Sequence, residues 1–191
     1  MLGLRRGLAV AVLLAAAAVA AAEEAADVVI LSPYRSRVGA NARPRMQPHA
    51  GVDFALPVGT PVLAAADGEV GTLIDYEPGC GVGVVLLHPG FTRWTVYCHL
   101  TRTVVKTRQA VARGERIGFS GASGNSAGVP HVHLEVCTTP CASHRDGDLR
   151  GTRDPMVLVV GCHDPQRVYP TDRLVLTLPF ECGPWSTDAR R

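Results

Sequence analysis

Short apolar runs cut by turn residues dominate this 191-residue chain, and no apolar repeat of helical period is sustained after residue 22. A helix needs a stripe that recurs with the helical period, whereas strands bury alternate residues or short continuous runs between turns. The pattern therefore leaves the chain little but strands. Residues 52–56 are followed by Pro57 and the turn Val58-Gly59-Thr60, and 61–66 lead into Asp67-Gly68 and then 69–74. Asp-Gly between apolar runs is a strong hairpin signal. Further strands are expected at 82–88, 92–99, 116–119 and 131–137, with Gly, Pro or Asn in the turns. Residues 28–34 begin as a short buried strand that breaks at Pro33, and 35–48 read as an Arg-, Pro- and Asn-rich loop. The polar stretch 138–154 reads as a loop, and the apolar runs 156–160 and 173–178 as edge strands. The expected fold is mainly β: an antiparallel sheet with little helix. Aromatic residues are only 5% of a chain that is 47% hydrophobic, so Val, Leu, Ala and Gly must build the core.

The first residues stand apart. Arg5 and Arg6 precede an almost purely apolar stretch, 7–22, which ends in Ala20-Ala21-Ala22 before Glu23-Glu24. This is the pattern of a cleaved secretory signal, too short for a membrane span. The chain is expected to be exported, to the periplasm or the exterior. Without Arg5 and Arg6 the 19 Lys and Arg residues fall to 17, equal to the 17 Asp and Glu, so no basic nucleic-acid face is implied. Six cysteines (Cys80, Cys98, Cys137, Cys141, Cys162 and Cys182) follow the leader, and an even count behind a signal points to disulfides. The pairs favoured are Cys80 with Cys98, Cys137 with Cys141, and Cys162 with Cys182. No C-x-x-C pair supports a cysteine metal site. The expected division is a signal at 1–22, an N-terminal strand and loop at 23–48, a main domain at 49–155, and a Cys-bearing extension packed on it at 156–191. A monomer is expected.

Two clusters can carry chemistry. In His49-Ala50-Gly51-Val52-Asp53, Pro48, Gly51 and Pro57 disfavour helix, so 49, 51 and 53 share a strand face, with no bulk between His and Asp. In His131-Val132-His133-Leu134-Glu135, both imidazoles and the carboxylate share one face, Glu135 as a possible acceptor for an imidazole N–H. Taken singly, each has a bland reading: a turn His with a capping Asp, or an exposed strand face. A third element, Tyr97-Cys98-His99-Leu100, ends a strand; a lone His there is more often structural. Combined, His49, Asp53 and one of the paired histidines make three N/O ligands with a position left for water, as in catalytic zinc sites. No H-E-x-x-H occurs, so a zincin is excluded. The small-residue loop 120–128 could let a peptide backbone approach closely.

The stretches HAGVDFALPVGTPVLAAADGEV, VYCHL and RGERIGFSGASGNSAGVPHVHLEV resemble the lysostaphin/LytM-type peptidoglycan endopeptidases over about residues 30 to 136. The resemblance implies a β-sheet groove of the LytM/duplicated hybrid motif type. It implies zinc on His49, Asp53 and His133, with His99 and His131 assisting catalysis. The substrate implied is peptidoglycan cross-link or stem peptide. Val129 looks like one extra residue before Pro130-His131, and the Cys-bearing tail after 137 is not typical of the family. Some relatives have lost the metal site and act as binding modules that activate cell-wall amidases; here all five positions are filled. A lipoyl-like carrier would need a Lys in a tight turn, and the single Lys106 lies in none. His88 reads as a turn residue without a chemical role, and His144 and His163 as loop residues.

Overall fold

The computed structural model describes residues 28–138, 141, 149 and 151–183. The expected signal at 1–22 and His144 lie outside the described residues. Among the described residues eleven strands form: β1 (Ile30–Ser32), β2 (Gly51–Ala55), β3 (Pro61–Leu63), β4 (Gly68–Glu77), β5 (Gly81–His88), β6 (Arg93–Leu100), β7 (Arg102–Thr103), β8 (Ala110–Val111), β9 (Arg116–Phe119), β10 (His131–Cys137) and β11 (Thr152–Arg153). The main sheet runs β1-β2-β10-β6-β5-β4-β8, with β11 beside β10, and a small sheet runs β3-β9-β7. Every strand pairing is antiparallel. Helix among the described residues is confined to 3-10 geometry, at Cys141 and over Pro155–Val157. The mainly β, antiparallel expectation therefore holds.

Strand alternation sorts the main sheet into two faces. Val52, Phe54, Val84, Leu86, Tyr97, Val132, Leu134 and Val136 point into the main core, where Val70 and Leu100 join them. The opposite face carries Asp53, His131, His133 and Glu135, beside a second apolar cluster of Val85, Val96, Cys98, Cys137 and Cys141. Tyr97 shows how the first face tolerates a polar atom. Its hydroxyl accepts the Ala65 N–H at 2.9 Å and lies 3.2 Å from the Thr95 hydroxyl. A buried phenol needs such partners.

Several boundaries differ from expectation. The 28–34 segment is an edge strand whose Val28, Val29 and Ile30 are exposed rather than buried, because β1 pairs only with β2. The two-residue strands β7, β8 and β11 carry too little pattern to announce themselves. The 156–160 run is not a strand: Asp154 accepts the Met156 N–H at 2.9 Å and Pro155 opens a 3-10 turn. The 173–178 run makes one parallel bridge, Val159 to Leu176, instead of an edge strand. This segment is nevertheless held from several sides. Thr177 N–H donates to Ala65 O at 2.8 Å, Leu63 N–H to Pro179 O at 2.9 Å, and Phe180 meets Phe54 edge-on at 5.4 Å. Arg113 donates to Ala65 O and Val175 O, with its guanidinium 4.1 Å from the Tyr169 ring centre. The three disulfides close as expected: Cys80–Cys98, Cys137–Cys141 and Cys162–Cys182.

Candidate metal centre

Three adjacent strands deliver the five candidate side chains. In the β2–β10 register Asp53 lies opposite His133 and Gly51 opposite Glu135. Directly opposed residues share a face, so the carboxylate and the imidazole meet. His49 enters just before β2. Gly51 has a more specific task than leaving open space: a Cβ there would meet His133 Cε1 at 2.7 Å, His133 Nε2 at 2.8 Å and the Leu134 carbonyl. The His133 ring lies over the glycine.

His99 reaches the same face by a different route. Its N–H donates to Cys80 O, beside the Cys80–Cys98 bridge. Regular alternation after Cys98 would turn His99 toward the main core. The β5–β6 register slips there: Val84 faces Tyr97, while Val82, two residues earlier, faces Leu100, three later. The extra residue is a β-bulge, and His99 takes a left-handed φ of 64°. Bulges re-aim side chains, and a non-glycine residue in this region is strained. The His99 ring ends 4.5 Å from that of His131 and 6.0 Å from that of His133.

The donor atoms converge. Asp53 Oδ1 lies 2.9 Å from His133 Nδ1, 3.1 Å from His49 Nε2 and 3.6 Å from His131 Nε2, and the His49 and His133 nitrogens are 2.9 Å apart. One ligand atom from each of His49, Asp53 and His133 falls within 4.8 Å of the others. The remaining ring nitrogens are occupied elsewhere. His49 Nδ1 is 3.1 Å from Ser32 O and 3.2 Å from Pro33 O. His133 Nε2 is 3.6 Å from Glu135 Oε2. His131 Nδ1 donates to Val129 O at 2.7 Å, and His99 Nδ1 to Ser123 O at 2.8 Å. Such outer contacts fix which nitrogen faces an ion. Two imidazoles and one carboxylate, each held this way, form a donor set that suits a divalent ion with N/O preference, zinc among them.

Charge in the site is unevenly shared. Burial alone would raise Asp53, but hydrogen bonds from His133 and His49 hold its carboxyl well below the usual range. His133 is raised to about 9: burial opposes this, and the carboxylates of Asp53 and Glu135 outweigh burial. Burial lowers His49 and His131. Burial, then repulsion from His133 and His131, lowers His99 to about 3. Burial thus favours the neutral form of His49, His99 and His131, while the Asp53 and Glu135 carboxylates favour positive charge at His133.

Sequence reasoning missed one functional contact. Arg45 Nη2 donates to Asp53 Oδ2 at 2.8 Å. The loop holds four arginines between 35 and 45, and nothing in their spacing singles this one out. The Val129 carbonyl is a second omission: the apparent extra residue supplies the acceptor that orients His131. Part of the loop 120–128 packs inward, while Gly128 stays open, with nothing within 4 Å of a Cβ built there. Gly124 packs against Gly79 and Gly81, and Gly81 against Ser123, with no room for a Cβ at either Gly81 or Gly124. At Gly124 the small residue thus serves close internal packing. His88 is no mere turn residue either: fully buried, it donates through Nδ1 to Asp67 O at 2.7 Å, with Nε2 2.9 Å from the Thr95 hydroxyl.

Fold and site together define an antiparallel β protein with a His–Asp–His donor set on one sheet face and two further histidines beside it. Residues 47–144 match Peptidase family M23, and the chain belongs to that family. It is 47% identical over 92 residues to peptidoglycan DD-endopeptidase ShyA of Vibrio cholerae, covering 48% of this chain and 21% of that protein. It is 43% identical over 106 residues to an uncharacterised metalloprotease of Haemophilus influenzae, covering 56% of this chain and 22% of that one. The chain thus spans about a fifth of the length of these relatives. Among solved structures, the catalytic domain of the prophage-encoded M23 protein EnpA from Enterococcus faecalis superposes with a TM-score of 0.55 at 29% identity, covering 69% of this chain and 91% of that one. The catalytic domain of lysostaphin from Staphylococcus simulans gives 0.52 at 28%, covering 68% and 87%.

Proposed function

We propose that this peptidase-family chain is an exported zinc metalloendopeptidase that hydrolyses peptide bonds in peptidoglycan cross-links or stem peptides. The observation that carries the reading is the convergence of His49 Nε2, Asp53 Oδ1 and His133 Nδ1, with His99 and His131 alongside. Bound there, zinc would polarise a carbonyl and make water nucleophilic near neutral pH.

The chain's own residues account for the rest. His49, Asp53 and His133 hold the ion. His99 and His131 spend their Nδ1–H groups on backbone carbonyls, so each presents a bare Nε2 that can accept a proton. Once protonated at Nε2, either ring becomes a donor at that same atom, toward the oxyanion or the leaving amine. Half-buried Trp94 lies on the same sheet face, packed on the buried Val96 cluster, and offers an apolar surface to substrate. A relative named as a DD-endopeptidase makes the D,D cross-link the first bond to examine.

The test is mass spectrometry of purified muropeptides after incubation with zinc-loaded protein. His133→Ala should lose both zinc and muropeptide products. A His133→Ala protein that digests murein as the parent does would sink the reading.

A further inference from the structure

Resting on the metal-centre reading above, we propose that Arg45 is a positioning residue that keeps Asp53 a one-oxygen ligand and so preserves the open coordination position. The two oxygens of the fully buried Asp53 have unlike surroundings. Oδ1 faces the nitrogens of His133, His49 and His131 at 2.9, 3.1 and 3.6 Å. Oδ2 accepts Arg45 Nη2 at 2.8 Å. For Asp53 to grip an ion with both oxygens, Oδ2 would have to turn toward the imidazoles. That turn would break a charge-assisted hydrogen bond, or draw the half-buried guanidinium toward a second cation beside the fully buried carboxylate.

The arginine is itself anchored. Residues 37–45 form a tight turn in which Arg45 N–H donates to Arg37 O at 2.7 Å and Gly39 N–H to Arg43 O at 2.8 Å. The turn is tied to the first ligand, because Arg35 N–H donates to His49 O at 2.7 Å and His49 N–H to Ser36 O at 2.9 Å. Arg45 Nε is buried without a hydrogen-bond partner, and a Cβ on Gly39 would lie 3.6 Å from it. An orphaned buried donor is costly, so its own surroundings do not explain where the guanidinium sits. The Asp53 contact does. The loop between Pro33 and Pro48 thus delivers one cation to the far side of one ligand.

Cobalt-substituted protein tests this, because four-coordinate cobalt(II) absorbs visible light far more strongly than five- or six-coordinate cobalt(II). Arg45→Met should bind one metal ion per chain yet show a weakened visible band, with muropeptide hydrolysis down about 10–100-fold. Arg45→Lys, which restores a cationic donor, should recover most of both. A parental spectrum and rate in folded Arg45→Met would overturn the proposal. Should Arg45→Met not fold, a crystal structure of the zinc-loaded parent decides. Asp53 bound through Oδ1 alone, with Arg45 on Oδ2, supports the proposal; two-oxygen binding overturns it. Failure of the zinc-peptidase reading looks different, since the parent itself would then neither bind metal nor release muropeptides.

Discussion

Replacing Gly51 by alanine tests how tightly the metal centre is built into the sheet. Gly51 is not among the residues with positive φ, so alanine meets no backbone strain there and the effect is one of contact. The added methyl would press hardest on the Leu134 carbonyl and sit 2.7 Å from His133 Cε1 and 2.8 Å from Nε2, so both the β2–β10 pairing and the ring must give. Carbon atoms pack at about 3.5–4.0 Å, so the ring must retreat by about 1 Å. His133 Nδ1 moves with it, away from the 2.9 Å contacts with Asp53 and His49. Overpacking of this kind costs about 1–3 kcal/mol. At about 2–4 °C per kcal/mol for a chain of this size, Tm should fall by about 2–12 °C. A misplacement of about 1 Å can cost about 100-fold in rate, and metal affinity should fall with it. Gly71→Ala is the control, because its methyl meets only Val85 O at an ordinary 3.7 Å. Differential scanning calorimetry, zinc titration and muropeptide release on both variants give the answer. Parental Tm, affinity and rate in Gly51→Ala would refute the reasoning.

Three other outcomes are expected. His99→Ala and His131→Ala should each keep zinc, measured by metal analysis, while muropeptide release falls about 100- to 10,000-fold. His88 is lowered from 6.5 chiefly by burial, so the folded state favours its neutral form. Its stabilising share is full above pH 6.5 and is lost as pH falls through and below that value. Metal-free His88→Asn, which keeps a donor for Asp67 O, should therefore lose less Tm than the parent between about pH 7 and pH 5. Arg113→Ala should lower Tm by unpinning 173–178, at about 1–3 kcal/mol for its charged hydrogen bonds; limited proteolysis should then cut in that segment first.

How much of this was legible follows from range. His131 and His133 could be read because both sit on one strand, where alternation alone puts them on one face, and His49 with Asp53 because the short extended lead into β2 keeps them close. Their meeting depends on the β2–β10 register, which no local pattern states; a resemblance to known sequences supplied it. His99 was legible only through that resemblance, since a local pattern sends it to the wrong face and a one-residue bulge reverses it. Arg45 was illegible for a different reason. Its partner is a ligand eight residues on, reached only after the loop doubles back on itself. The expected 156–160 and 173–178 strands failed because apolar runs satisfy burial equally well as a 3-10 turn or a single bridge.

The central place of β10 between β2 and β6 has a consequence in time. When β2 is synthesised it carries two donors, but the third lies 80 residues beyond Asp53. Closing so long a loop is slow, and the pairing that closes it is the one that brings the donors together. High-affinity metal binding should therefore arrive with the insertion of β10, late in the chain's maturation. Nascent chains arrested before residue 131 should hold no ion tightly, so the donor set stays open until the strand that closes it has been made.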